Sequence, residues 1–428
     1  APQARCDADS MRQESPIVVQ LPRLGWGVLA LVVLLPWAAV LWLARPAPEV
    51  SKAPPPKPAA APGPELGTPP QLGDAGPWGQ LEYSRIVIEP PEDFVPSFFT
   101  QPQPFRWVFR GLDEAQLEAL WLRAGLTGDQ RHSLRSARRQ AFPEGVVLEP
   151  DAELILSLTP EARATIYGVL AAWPENPVQH DPFRSRRDAV DDWFEPHALP
   201  EELVSLTRRL LYPRNGNMLF SDHDIVLPKL SSAAQRVGFI KALSRKSTFL
   251  INLRVAPGAD VESLTRYWGR GRRSKDVGPL LRSLAQRPGG GSIDVAHLLP
   301  PLPRTLLYTY PLPSDNPVDL AHDCHWTSFN FYNDQPDERL AEMAFVERVI
   351  QSDYFQAAGE PAFGDVIILV DQQGKGVHSC VYLADDFVFT KNGGAFSVPW
   401  LLGRLETVVS FYSIGGTPLE VRRYRKRE

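Results

Sequence analysis

The chain has 428 residues, a hydrophobic fraction of 43% and a formal net charge of −5. That length suits two folded units plus accessories rather than one domain, and the acidic balance argues against a nucleic-acid binder, whose contact face needs a basic excess. Three cysteines, Cys6, Cys324 and Cys380, make neither a disulfide framework nor a zinc site.

Residues 1–23 read as a short N-terminal tail. From Leu24 to Ala44 no residue is charged, and Arg23 and Arg45 bracket the run. At ~1.5 Å per residue a helix of that length spans ~30 Å, the thickness of a bilayer's hydrocarbon core. Trp26 and Trp42 sit near its ends, where indoles favour the interface, and Pro36 is tolerated inside a membrane helix. Pro46 and Pro48 crowd the exit where a signal peptide would be cut, so the run reads as an uncleaved transmembrane helix. Residues 45–80 form a Pro-rich linker, with eleven prolines between Pro46 and Trp78. Such a segment is extended and buries no core. Basic residues are nearly balanced across the span, so the orientation is inferred only from the stalk and large region that follow. A single-pass inner-membrane protein with extracytoplasmic C-terminal domains is the expectation.

Residues 81–303 read as a helix-rich domain of mixed α/β character and unknown role. Asp113-Glu114-Ala115-Gln116 and Thr159-Pro160-Glu161 are helix starts, the second with Thr as N-cap and Pro at the first helical position. Further helices are expected over Glu201–Leu211, Ser232–Leu243 and Val277–Ala285, and strands over Ile86–Ile88, Asp224–Leu227 and Phe249–Val255. Leu253–Asp260, leading into a helix ending at Trp268, faintly resembles the strand-turn-helix opening of a LysM module. An ordinary βα unit is the competing reading. Ser221-Asp222-His223-Asp224 reads as a solvated turn rather than a metal site.

Residues 304–415 carry the chemistry. Asp323 can cap a helix running from Cys324 to Asn333, and Pro336-Asp337-Glu338 starts another. Asp365–Val370 is a nearly continuous apolar strand, with Gly364-Asp365 opening its apolar run. Gln372–Gly376 is a glycine-rich hairpin turn. In the strand Val377–Leu383, period-two alternation puts His378, Cys380 and Tyr382 on one face. Phe387–Thr390 follows, Lys391-Asn392-Gly393-Gly394 ends it, and Val408–Tyr412 is expected to close the sheet. Residues 416–428 read as a solvated basic tail. A thiol at a helix N-terminus beside an imidazole is the arrangement that generates a nucleophile.

The order Asp323-Cys324, Gly364-Asp365-Val366 and His378-Ser379-Cys380-Val381-Tyr382-Leu383 resembles the papain-like cell-wall hydrolases of the NlpC type and their CHAP amidase relatives. The resemblance covers about a quarter of the chain, from about Tyr308 to Tyr412. It implies Cys324 as nucleophile, His378 as general base, and a polar residue near Thr390 to Asn392 orienting the imidazole, for which Asn392 is the choice. It also implies a bacterial peptidoglycan stem peptide as substrate. His325-Trp326 stands where the family has Ser-Gly, and Cys380 where it has glycine or alanine.

The fold class expected is therefore α+β. A C-terminal papain-like unit, a cysteine-bearing helix on an antiparallel sheet, follows a helix-rich mixed α/β region, a Pro-rich linker and one transmembrane helix. The function expected is a membrane-anchored cysteine amidase or peptidase working through an acyl-enzyme, on a cell-wall peptide or other amide. Two alternatives stand beside it: an acyltransferase on the same fold, and a non-catalytic envelope scaffold in which Cys324 and Cys380 are buried core thiols. His322 and His325 flank the cysteine without a second ligand cluster, so neither a metal nor a cofactor is implied.

Overall fold

The computed structural model describes residues 69–427, except 143, 195–198, 313–321 and 414–417. The expected membrane helix at 24–44 and most of the linker lie outside the described residues. No helix among the described residues is long and apolar enough to cross a membrane. The chain there is mixed α/β, and all of its sheets are antiparallel.

The sheet that carries Cys380, His378 and Thr390 has six strands: β1 (Tyr354–Gln356), β2 (Val366–Val370), β3 (Gly376–Ala384), β4 (Phe387–Lys391), β5 (Trp400–Arg404) and β6 (Glu420–Lys426), in the order β1-β6-β2-β3-β4-β5. Strands β2 to β4 pair in the expected order, and β5, where no strand is expected, continues the meander. The β2–β3 hairpin turns on Asp371, whose Oδ1 accepts from the backbone N–H groups of Gln373 and Lys375, with Gly374 in the left-handed region at φ 80°.

All five residues of β2 are buried because both faces of the sheet are covered. Val366, Ile368 and Val370 enter a large core with Trp326, Phe329, Phe331, Val381 and Phe389. Ile367 and Leu369 enter a smaller one with Cys380, Tyr382, Val388 and Val408. Such two-sided burial gives a continuous apolar run instead of alternation. Gly364, at φ 83°, leads into β2, and a Cβ there would fall 1.7 Å from Tyr332 Oη. That position admits only glycine.

Two elements differ from expectation. Leu405–Tyr412 is a helix, not a closing strand. A short apolar run is ambiguous by periodicity, and Leu405, Val408, Val409 and Tyr412 share one helical face against the smaller core. The basic segment is not a solvated tail: Glu420–Lys426 is β6, inserted between β1 and β2. Asp365, 1% exposed, explains why a strand can carry so many arginines. Arg425 binds it through Nε and Nη2, both at 2.7 Å, and Arg423 lies 3.4 Å away. Deleting residues 419–428 is therefore expected to strip β1 of its partner, expose the β2 edge and drive the protein into aggregates. Size-exclusion chromatography of the truncated chain checks this; a monodisperse product would contradict it.

The core does not divide at residue 303. Trp107, Phe109, Trp121, Tyr167, Trp193, Phe220 and Phe239 centre a core of their own. Leu253, Trp268, Leu281 and Leu298 instead share the large core of the six-stranded sheet. The strand Lys246–Val255 is tied to β5 through Thr248, whose hydroxyl donates to the Leu402 carbonyl at 2.9 Å and accepts from its N–H at 3.0 Å. After that strand come helices Val261–Trp268 and Ser274–Ala285. The strand Gly291–Asp294 then pairs back antiparallel.

The helix starts at Asp113 and Thr159 form as expected, Asp113 with a reciprocal cap from Gln116. The Ser221–Asp224 segment, however, is neither a solvated turn nor the lead into a strand. Ser221, Asp222 and His223 are buried, and His223–Val226 is helical. Asp222 meets the buried Arg163 guanidinium at 2.9 Å and accepts from the Tyr167 hydroxyl at 2.6 Å, while Tyr212 and Ser221 share a hydroxyl hydrogen bond at 2.8 Å. Partners distant in sequence solvate this acid.

Arg163→Met leaves Asp222 buried beside one hydroxyl and is expected to cost about 3–5 kcal/mol, read from urea unfolding. Burial pushes Asp222 up to about 6 even with Arg163 present, so the folded chain holds this proton more tightly than the unfolded one. The residue's contribution is fullest below about pH 4 and is lost as pH rises through about 6. The variant should accordingly recover stability on acidification; a loss unaffected by pH would contradict the assignment.

Candidate functional site

Cys324 is the first residue of the helix Cys324–Phe329. Asp323 sets that start, its Oδ1 accepting from the N–H groups of His325 at 2.8 Å and Trp326 at 2.9 Å. The helix is shorter than the run to Asn333 suggests. Asn330 stops it, because its side chain turns to accept from Asp337 N and Asn333 Nδ2. Trp326 does not crowd the thiol. It is 1% exposed, lies in the large core and stacks on His322 at 3.8 Å.

The helix start is fastened to β3 by Ser379. Its hydroxyl donates to the Cys324 carbonyl at 3.1 Å and shares a hydrogen bond with His325 Nδ1 at 3.0 Å. Cys324 is 7% exposed, and its thiol is pushed up to about 12. Burial is the main cause and the Asp323 carboxylate adds to it. The backbone N–H groups of Ser379 and Cys324 and the Lys391 ammonium pull the other way. The thiol therefore lies against the β3 backbone, at the residue next to His378.

His378 is fully buried. Its ring stacks on Tyr412 of the Leu405–Tyr412 helix, 4.2 Å between centroids and 16° between planes. Nε2 bonds Thr390 Oγ1 at 3.0 Å, and Thr390 donates in turn to Asn392 Oδ1 at 3.1 Å. A hydroxyl has one proton to give. With that proton on Asn392, Thr390 accepts from Nε2–H, which leaves Nδ1 as the basic nitrogen, and among the described residues Nδ1 has no hydrogen-bond partner. Desolvation, then the neighbouring His325, holds the imidazole pKa well below its ordinary value. At rest thiol and imidazole are thus both neutral, and among the described residues no hydrogen bond joins Cys324 Sγ to the ring.

The three expected site residues occupy one region, with a shift of role. Cys324 is tied to β3 through Ser379, whose side chain takes the face opposite that of His378; Asn392 does not touch the imidazole, whereas Thr390 does, and Asn392 holds Thr390. Strand parity carries the missed signal, since Thr390 and Asn392 lie two residues apart on one side of β4 and its extension. Lys391 was also missed. It is fully buried, lies 5.4 Å from the Trp400 ring centroid, and burial lowers its pKa to about 8. Cys380 is buried and its thiol is raised by burial, with Cys324 contributing. Neither flanking histidine is free: His322 bonds Glu338 at 2.8 Å, and His325 bonds Ser379. Among the described residues no group of three or more His, Cys, Asp or Glu side chains is placed to hold a metal ion.

A cavity of about 830 Å³ adjoins this arrangement, and Asn392 and Tyr412 form part of its wall. No protein-family model, curated protein or solved structure matches the chain.

Proposed function

We propose that this chain is a cysteine amidase or peptidase of the papain-like type, with Cys324 as nucleophile and His378 as general base. The observation that carries the reading is the Thr390–Asn392 relay, which fixes the imidazole tautomer so that Nδ1 is the free base on the residue beside the thiol contact. In the reaction His378 Nδ1 takes the Cys324 proton as sulfur bonds to the amide carbonyl carbon. The same proton passes to the amine as the C–N bond breaks, and water deprotonated by His378 then cleaves the thioester. A thiol raised to about 12 needs such a base at the moment of attack.

The resemblance around Cys324, Gly364-Asp365 and His378 points to a peptidoglycan stem peptide as the amide, and the apolar 24–44 run with its proline linker to a membrane tether outside the cytoplasm. An amine or lipid acceptor in place of water would make the same site an acyltransferase. One observation favours a non-catalytic envelope scaffold instead: thiol and imidazole are both buried and share no hydrogen bond. Incubating the full chain with purified cell-wall peptides and following new amine termini by mass spectrometry separates these readings. Cleavage by the wild type and none by Cys324→Ala supports the enzyme. Intact peptides, with no acyl transfer to added amines, retire it in favour of the scaffold.

A further inference from the structure

The cavity beside the candidate site is built from segments far apart in sequence, and its charges do not all cancel. Arg85 pairs with Asp192, Arg186 with Asp188, Asp191 with Arg208, Arg245 with Glu89 and Arg404 with Asp385. Three charged groups on the wall have no ion pair among the described residues: Arg184, Lys246 and Asp181. The Arg184 guanidinium lies over the Phe411 ring at 4.9 Å, and the Lys246 ammonium donates to the Arg184 carbonyl at 2.8 Å. Asp181 is exposed to solvent, which screens it as their counter-ion. The rest of this wall mixes apolar side chains, Phe249, Leu401, Val408 and Phe411, with the polar Ser185, Ser247, Asn392, Ser397 and Thr407.

We propose that this cavity is a binding site for an amphipathic carboxylate, its head held by Arg184 and Lys246 and its apolar body lying on Phe249, Leu401, Val408 and Phe411. Arg184, beside Lys246 whose ammonium burial lowers to about 7, on a wall that also presents apolar side chains, is a matched host for one anion with an apolar body. The guanidinium fork takes a carboxylate or a phosphate in two parallel hydrogen bonds, and carboxylate is favoured because the second negative charge of a phosphate would face Asp181. The volume is that of a small-molecule site. Tyr412 forms part of the wall and also stacks on His378, so a bound molecule lies one ring away from the imidazole.

The test measures binding by calorimetry on the full-length chain carrying Cys324→Ala, which keeps the result independent of any hydrolysis. The probes are 6-phenylhexanoate, its primary amide and 6-phenylhexylammonium. The expected result is that the carboxylate binds at least about tenfold tighter than the amide, and that the ammonium is weaker still. Arg184→Gln should remove the preference for carboxylate over amide, Arg184→Lys should keep part of it, and Phe411→Ala should weaken both probes about equally. Equal affinity for carboxylate and amide, or no binding of either by the folded protein, overturns the proposal. If Arg184→Gln fails to fold, the three probes on the parent chain still decide.

Discussion

Cys324→Ala is expected to abolish amide cleavage, by at least about 10³-fold in kcat/KM, while leaving a folded protein. A methyl group can neither attack nor ionise, and the residue's structural ties run through its backbone: Ser379 Oγ reaches its carbonyl, and the Asp323 cap reaches the next two N–H groups. Losing one buried sulfur atom costs about 1 kcal/mol in a site that can partly relax, so urea unfolding should shift little. Alkylation by iodoacetamide gives the finer measurement. A thiol whose pKa is near 12 is almost wholly protonated at pH 7, and its uncatalysed labelling should climb about tenfold per pH unit. If His378 serves as base, the parent protein labels faster near pH 7–8 than that line allows, and His378→Ala falls back onto it. Coincident profiles for the two proteins would remove His378 from the mechanism. Full cleavage by Cys324→Ala would remove the site altogether.

What could be read from the sequence, and what could not, follows from the range of the interactions. Strands β2, β3 and β4 were legible because their burial is written in contiguous residues, with Gly364 and Gly374 marking the turns. The cysteine at a helix start was legible for the same reason, since Asp323 caps its own neighbour. Strand β6 was not, because Arg423 and Arg425 look solvated until Asp365, some 60 residues earlier, is placed opposite them. Asp222 was misread in the same way, its charge being met by Arg163 and Tyr167 from another helix. Leu405–Tyr412 was lost to the ambiguity of a short apolar run. The cavity was invisible, because its walls come from segments between Arg85 and Tyr412 that meet only in the fold. At the candidate site the sequence reading settles on Asn392, whereas the structure puts Thr390 in contact with the ring and Asn392 behind it.

That last point is open to a direct test. Thr390→Val keeps the shape of the side chain and removes the hydroxyl. Nε2–H of a fully buried imidazole is then left without an acceptor, at a cost of about 1–3 kcal/mol in stability. The ring is also released to adopt the other tautomer, with the proton on Nδ1, where it cannot accept one from the thiol. The expected result is a fall of about 10–100-fold in kcat with KM nearly unchanged, by analogy with lost outer-shell partners of other imidazoles, and recovery of most of the rate in Thr390→Ser. Asn392→Ala should be milder. Thr390 remains in contact with the ring, and losing its own acceptor only lets the hydroxyl turn its proton toward Nε2 for part of the time. A merely structural role for Thr390 would lower stability without this split between kcat and KM. The order of the two variants is therefore decisive. If Asn392→Ala costs more than Thr390→Val, the imidazole is governed in the working enzyme by Asn392, and the resting relay through Thr390 is not the one that matters for catalysis.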